Sequence, residues 1–370
     1  MDINLAETGR GRNPNRGIRF WGGPEESGLL FVKGDLFMNK KVLVLSLAVL
    51  ALVLTAGISS GQVPEAWNLN ERIHPDLAQS FSAAPELNIT ADTLSGLRKL
   101  FERDSETLPK DDALDVYDEM ITSALRVRVY KPKSEQKDFP GLLWIHGGGH
   151  ILGTPEQDEA LCIRFAKEAG CIVVAPDYRL APEHPYPADL DDCYSALVWM
   201  TENLPVRKNR VAVAGQSAGG GLTAAVVLMA RDKKTPAIHF QMPLYPMLDC
   251  RTITPSTYQI RDHRVWCRDF NLTAWKMYLG ENVKEVPAYA SAALVEDLSN
   301  LPPAYIMVGQ LDPFRDESIA YAQRMLQAGV PVELHVVPGA THGFEGIFPD
   351  AEVSIRAMNE YVKALADALK

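Results

Sequence analysis

The chain has 370 residues, a formal net charge of -10, 46% hydrophobic residues and 23% charged residues. That length gives one large domain with appendages and a sizeable core, and the composition is that of an ordinary globular protein. The acidic balance argues against a nucleic-acid partner, which needs a basic face, and otherwise implies only solubility.

From Gly9 to Gly23 the chain is rich in Gly, Arg, Asn and Pro and has no periodic apolar face, so residues 1–37 are expected to be a disordered or mis-assigned leader. Met38-Asn39-Lys40-Lys41 then opens a run from Val42 to Ala56 that is apolar except at Ser46 and Thr55, followed by the small residues Gly57 to Gln62. A basic start, an apolar stretch of about 15 residues and small residues beyond it have the pattern of an export signal over 38–61. A membrane anchor is the competing reading, although the run is a little short for one. A buried core helix would show a polar face, which this run lacks. The expectation is an exported protein, or an anchored one if the signal stays attached, with any membrane association confined to residues 42–58. Met38 is then the expected start of translation. No cysteine follows the apolar run, so no lipoprotein attachment site is visible.

Residues 62–123 carry helix-like patterns, such as Leu94–Arg103, and are read as N-terminal cap helices. From 124 to 370 short apolar strands alternate with amphipathic helices. The strands are expected at Leu125–Tyr130, Leu142–Ile145, Cys171–Ala175, Val211–Ala214, Ile238–Leu244, Ala304–Val308 and Val332–Val337. Helices are expected over Asp158–Ala169, Ala188–Asn203, Ser318–Ala328 and Ala351–Leu369. Continuous apolar strands separated by helices predict an α/β fold with a mostly parallel central sheet flanked by helices. An insertion over about 247–290 breaks the rhythm, with Trp266, Phe270, Trp275, Tyr278 and Leu279 spaced as on an amphipathic helix. Long connections of this kind commonly form lids, and with residues 62–123 it could cover the carboxyl ends of the strands, where ligands bind in such sheets.

Four strand ends carry candidate chemistry. Leu142–Ile145 runs into His146-Gly147-Gly148-Gly149-His150, whose glycines let backbone amides approach a substrate carbonyl; the N–H groups of Gly148, Gly149 and Ala218 are the candidate oxyanion donors. His146 and His150 flank a glycine run rather than a helix face, so His146 is expected to brace the loop and not to bind metal. Val211–Ala214 leads into Gly215-Gln216-Ser217-Ala218-Gly219 and then a second apolar run. This is a strand, a tight turn and a helix, with Ser217 Oγ held clear of the sheet as candidate nucleophile. A glycine-rich turn without chemistry has the same five-residue pattern, so the remaining strand ends decide. Asp312 follows Ala304–Val308, whereas Asp316 and Glu317 fall at the start of the next helix, where acids suit the dipole. His342 follows Val332–Val337, while His239 and His335 lie in strands and His263 in the insertion. Ser217, Asp312 and His342 thus form a candidate nucleophile, orienting acid and base.

Five cysteines, an odd number with no CxxC spacing, leave at least one thiol unpaired. Cys162, Cys171 and Cys193 sit in apolar contexts as small core residues. Cys250 and Cys267 could pair if the protein is exported.

Taken together, His146-Gly147-Gly148-Gly149, Asp177 to Glu183 (DYRLAPE), Gly215 to Gly220 (GQSAGG), Leu311-Asp312-Pro313 and His342-Gly343-Phe344 resemble the hormone-sensitive lipase-like esterases. The resemblance is close over about residues 120–368. It implies an α/β-hydrolase fold with a helical cap, no cofactor or metal, and hydrolysis of small-molecule carboxylic esters of short to medium chain length. It leaves room for a homodimer through the edge strand near the C-terminus. Gln216, where members usually carry Asp or Thr, and His150, where an aromatic is common, depart from the pattern and put substrate preference in question. The Asp177–Glu183 run is expected to brace the glycine loop. An amidase or acetyl-sugar deacetylase would use the same machinery, and a binding module is the rival from outside enzymes.

Overall fold

The computed structural model describes residues 63–101, 108–280 and 283–370, together with the two-residue strand Ile18–Arg19, which pairs antiparallel with Glu285–Val286. Apart from that strand, the leader expected over 1–37 and the export signal or anchor over 38–61 lie outside the described residues. Among the described residues, no helix is long and apolar enough to cross a membrane.

Helices α1 (Pro75–Ala83) and α2 (Leu94–Phe101) precede an eight-stranded sheet. Pro75 opens α1 where its missing N–H costs nothing, and the His74 side chain accepts the Asp76 amide. The strands are β1 (Leu114–Met120), β2 (Arg126–Pro132), β3 (Phe139–Ile145), β4 (Ile172–Asp177), β5 (Val206–Gln216), β6 (Phe240–Leu244), β7 (Ala304–Leu311) and β8 (Val332–Thr341). Their order across the sheet is β8-β7-β6-β5-β3-β4-β2-β1. β2 runs antiparallel to β1 and β4, and the other pairs are parallel.

The seven expected strands are all present, with shifted ends. β1 was not expected: it falls inside the segment read as cap helices, so the sheet begins at Leu114 and not at 124. Only Leu114 of this edge strand is buried, and its acidic sequence LDVYDEM offers no apolar run to read. β5 starts early because Arg207 to Arg210 extend the strand beyond the buried core, where no hydrophobic signal marks it.

Helices α3 (Glu159–Glu168), α4 (Ala188–Asn203) and α5 (Ala218–Lys233) follow β3, β4 and β5. The period-two geometry of a strand divides β3 between two cores. Leu143 and Ile145 join α4 and α5 residues such as Leu197, Met200 and Val226, whereas Leu142 and Trp144 pack with Phe165 of α3 and Tyr361. Each such aliphatic side chain contributes about 1.5–3 kcal/mol on burial.

The insertion contains α6 (Pro255–Gln259) and α7 (Arg268–Leu279). Trp266 stands in the loop ahead of α7, not on it as the spacing had suggested. Leu69, Phe81, Ile89 and Leu94 from the N-terminal segment join Ile260, Phe270, Trp275 and Tyr278 from the insertion in one apolar cluster. Ala218, Leu311 and Phe314, at the carboxyl ends of the strands, belong to the same cluster, so the two segments do roof the sheet there. Helices α8 (Arg315–Gln327), α9 (Phe344–Ile347) and α10 (Glu352–Leu369) complete the fold.

All five cysteines are free thiols, so the pairing of Cys250 with Cys267 is not formed. Burial pushes the Cys250 thiol up to about 11 and the Cys267 thiol upward as well, keeping both from the thiolate form that exchange requires. Cys162, Cys171 and Cys193 are buried core residues.

Candidate active site

β5 ends at Gln216 and α5 starts at Ala218, so the whole reversal falls on Ser217, at φ 57° and ψ -119°. A non-glycine residue with positive φ is strained, and here its amide and carbonyl are both held: Ser217 N–H donates to the Leu244 carbonyl, and its carbonyl accepts from Gly221 and Met247. The turn also needs room. A Cβ on Gly219 would stand 2.1 Å from the Ile145 carbonyl oxygen, so only glycine lets α5 start this close to β3.

β7 delivers Asp312 and β8 delivers His342 to the same point. His342 Nε2 lies 2.9 Å from Ser217 Oγ, and His342 Nδ1 lies 2.8 Å from Asp312 Oδ2. A carboxylate only accepts, so Nδ1 carries the proton and Nε2 is left to accept from the serine hydroxyl. The other Asp312 oxygen accepts the Phe314 amide at 2.8 Å, and the acid is fully buried. Tyr245 and Phe314 set their rings edge-on to the imidazole, each at 5.0 Å, with Trp266 at 6.3 Å. Ser217 and His342 are only 6% and 7% exposed, so the roof leaves little open approach to the pair.

Beside the serine, the glycine loop reverses direction at Gly148 (φ 125°), where a Cβ would collide with the Leu152 carbonyl at 2.0 Å. Among the described residues, the N–H groups of Gly148, Gly149 and Ala218 donate to no protein acceptor. The expected brace is present: Tyr178 Oη donates to the His146 carbonyl and the Ala181 amide to the His150 carbonyl, both at 2.9 Å. His146 stacks on Tyr178 and holds its Nδ1 2.8 Å from the Gly147 carbonyl; burial pulls it down to about 4, so it is neutral. His150 turns into the roof, stacked on Tyr278 at 3.8 Å and bonded to Asp189 at 2.7 Å.

Three side chains have roles that the sequence did not disclose. Gln216 joins a buried network, donating to Asp158 and accepting from Tyr245. Asp316 accepts the Ser256 amide, and Glu317 accepts the amides of Leu248 and Asp249. These two acids therefore tie the insertion to α8, beyond any effect on the helix dipole. Nothing in the spacing of Asp316 and Glu317 distinguishes these contacts from ordinary helix-start acids.

Among the described residues, His263, Cys267 and Asp269 are the one grouping with three metal-capable donor atoms within 4.8 Å of one another. They lie in the insertion, and Asp269 is already shared between His263 at 3.2 Å and Arg261 at 3.4 Å.

Comparison with known proteins agrees with the fold. Residues 142–346 match the family described as alpha/beta hydrolase fold. The chain is 34% identical over 302 residues to Esterase LipI of Mycobacterium tuberculosis, covering 79% of this chain and 94% of that protein. It is 37% identical over 251 residues to Carboxylesterase NlhH of the same organism, covering 66% of this chain and 78% of that protein. Among solved structures, Bacterial Heroin Esterase superposes with a TM-score of 0.75 at 36% identity, over 81% of this chain and 99% of that one.

Proposed function

The chain belongs to the hormone-sensitive lipase-like esterases of the α/β-hydrolase fold and is a carboxylic ester hydrolase, and from that premise we propose that it works through Ser217, His342 and Asp312 on short- to medium-chain esters. The observation that carries this reading is the unbroken hydrogen-bonded chain from Ser217 Oγ through the imidazole to Asp312.

His342 Nε2 takes the serine proton as Oγ attacks the ester carbonyl. Asp312 keeps Nδ1 protonated and stabilises the imidazolium that forms. The amides of Gly148, Gly149 and Ala218 stabilise the oxyanion, and His342 then gives its proton to the leaving alcohol. Water, activated by the same imidazole, attacks the acyl-enzyme, releases the acid and restores Ser217. The free N–H groups at these three positions support the oxyanion assignment. The machinery asks for no cofactor.

The test is Ser217→Ala with a fluorophosphonate probe. We expect ester turnover to fall by about 10⁴-fold or more and covalent labelling to disappear, with the fold retained. Near-normal turnover in the variant would refute the assignment. Matched ester and amide substrates, assayed in parallel, separate an esterase from an amidase or deacetylase.

A further inference from the structure

A buried hydrogen-bonded chain runs alongside the His342 ring, and its protons do not add up if Glu345 is ionised. Gln216 Nε2 donates to Asp158 Oδ1 at 2.8 Å, while Trp144 Nε1 donates to Asp158 Oδ2 at 2.8 Å. This fixes Gln216 Oε1 as an acceptor. Tyr245 Oη lies 2.8 Å from that oxygen and 2.6 Å from Glu345 Oε1. A phenol has one proton to give. With Glu345 ionised, one of these two contacts would set lone pair against lone pair. Glu345 Oε2 is also buried without a hydrogen-bond partner, a costly place for a carboxylate charge. With Glu345 neutral, its O–H donates to Tyr245 Oη, and Tyr245 is free to donate to Gln216.

We propose that Glu345 is a positioning residue held as the neutral acid, whose proton completes the chain Glu345–Tyr245–Gln216–Asp158 and so fixes the Tyr245 ring edge-on against His342. Tyr245 is the link, since its ring meets the imidazole at 5.0 Å and 75°. Burial pushes Glu345 up to about 7 and Asp158 up to about 6. The groups facing Glu345 are Tyr245, His342, Asp312, Tyr305 of β7 and Tyr361 of α10. Burial is the largest influence on Glu345; the Tyr245 contact, a backbone hydrogen bond and His342 act against it, and Asp312 acts with it. The proposal also accounts for Gln216, since its amide supplies a donor for Asp158 and an acceptor for Tyr245 without needing a proton of its own.

The proposal rests on the reading of His342 as base, so one of its two measurements does not require turnover. Because Asp158 and Glu317 are also buried acids shifted upward, the readout is the infrared difference between wild type and Glu345→Gln from about pH 5 to about pH 9, which is expected to contain a carboxylic-acid carbonyl component that fades as pH rises through about 7. In the kinetic arm, Glu345→Gln can still donate to Tyr245 and Glu345→Leu cannot. The Gln variant is expected to exceed the Leu variant in kcat by about tenfold with similar KM, one hydrogen bond's worth. Tyr245→Phe, which keeps the ring and breaks the chain, carries the same expected loss and stands in if Glu345→Leu does not fold. Absence from the difference spectrum of a component that fades through about pH 7 overturns the proposal. So does equal kcat in the Gln variant and the chain-breaking variants. Because the band is read without substrate, loss of the triad assignment would leave it standing.

Discussion

Trp266 rests the edge of its indole on Gly149: a methyl group added to that glycine would lie 2.3 Å from the indole Cη2. The same ring stands 6.3 Å from His342, so it bounds the space between the glycine loop and the base. Trp266→Ala is expected to lengthen the preferred acyl chain. Each added methylene that finds apolar room is worth about 0.8 kcal/mol, or about fourfold in kcat/KM. The check is a series of p-nitrophenyl esters of graded length, and a profile that does not move would show that the indole does not limit the pocket.

Among the described residues, the Asp312 carboxylate meets only His342 Nδ1 and the Phe314 amide. Asp312→Asn keeps the shape of the acid but presents an amide to Nδ1, favouring the tautomer with Nε2 protonated. A loss of about 10⁴-fold in kcat is expected, with KM little altered, as for the analogous change in the serine-protease triad. Steady-state kinetics on one short ester decides it, and a loss under tenfold would demote the acid to a bystander.

At Gly219 the prediction is for folding and not for chemistry. The Ile145 carbonyl, 2.1 Å from an added Cβ, belongs to the backbone of a central strand and cannot step aside. Gly219→Ala should destabilise the protein by more than about 3 kcal/mol in urea denaturation. Wild-type stability in this variant would mean that β3 and α5 can separate.

His146 supplies a pH dependence with a definite sign. Its folded-state value, about 4, lies below the ordinary 6.5 because burial opposes the charge. The unfolded chain therefore binds a proton between pH 6.5 and 4 that the folded chain refuses. The stabilisation is complete above 6.5 and is lost as pH falls through about 4, amounting to about 3 kcal/mol. His146→Phe removes the titration while keeping a ring against Tyr178. Its stability relative to wild type should rise by that amount between pH 7 and pH 4 in urea titrations, and a constant difference would contradict the burial argument.

The three side chains proposed to react were legible because each follows a strand whose core-facing run announces where it ends. Topology then brings those ends to one edge of the sheet. β1 was hidden for the opposite reason, since a strand with one buried residue has no hydrophobic pattern to show. Gln216 stood out as unusual, but its neighbour across the network, Glu345, is 129 positions away in the chain, and only the packing of α9 against Tyr245 brings the two near. Glu317 and Asp189 are of the same kind: their partners, Leu248 and His150, come from other segments, and an acid near a helix start looks alike whether it faces water or a buried amide.

The roof of the site is built from two stretches far apart in the chain, joined by Trp67 N–H to the Gln259 carbonyl, Leu87 N–H to the His263 carbonyl, and Arg264 to Asn70. Residues 63–101 are thus the handle of the lid as well as part of it. The Leu87 bond ends in the loop that carries Trp266, so a displacement of the amino-terminal segment is expected to shift that loop. The carboxyl-terminal helix α10 packs against α3 on the face of the sheet. For surface immobilisation or fusion the carboxyl end is not neutral either: the Val353 amide of α10 donates to Asp76 in the same handle, so a tether at Lys370 is expected to load the lid as well.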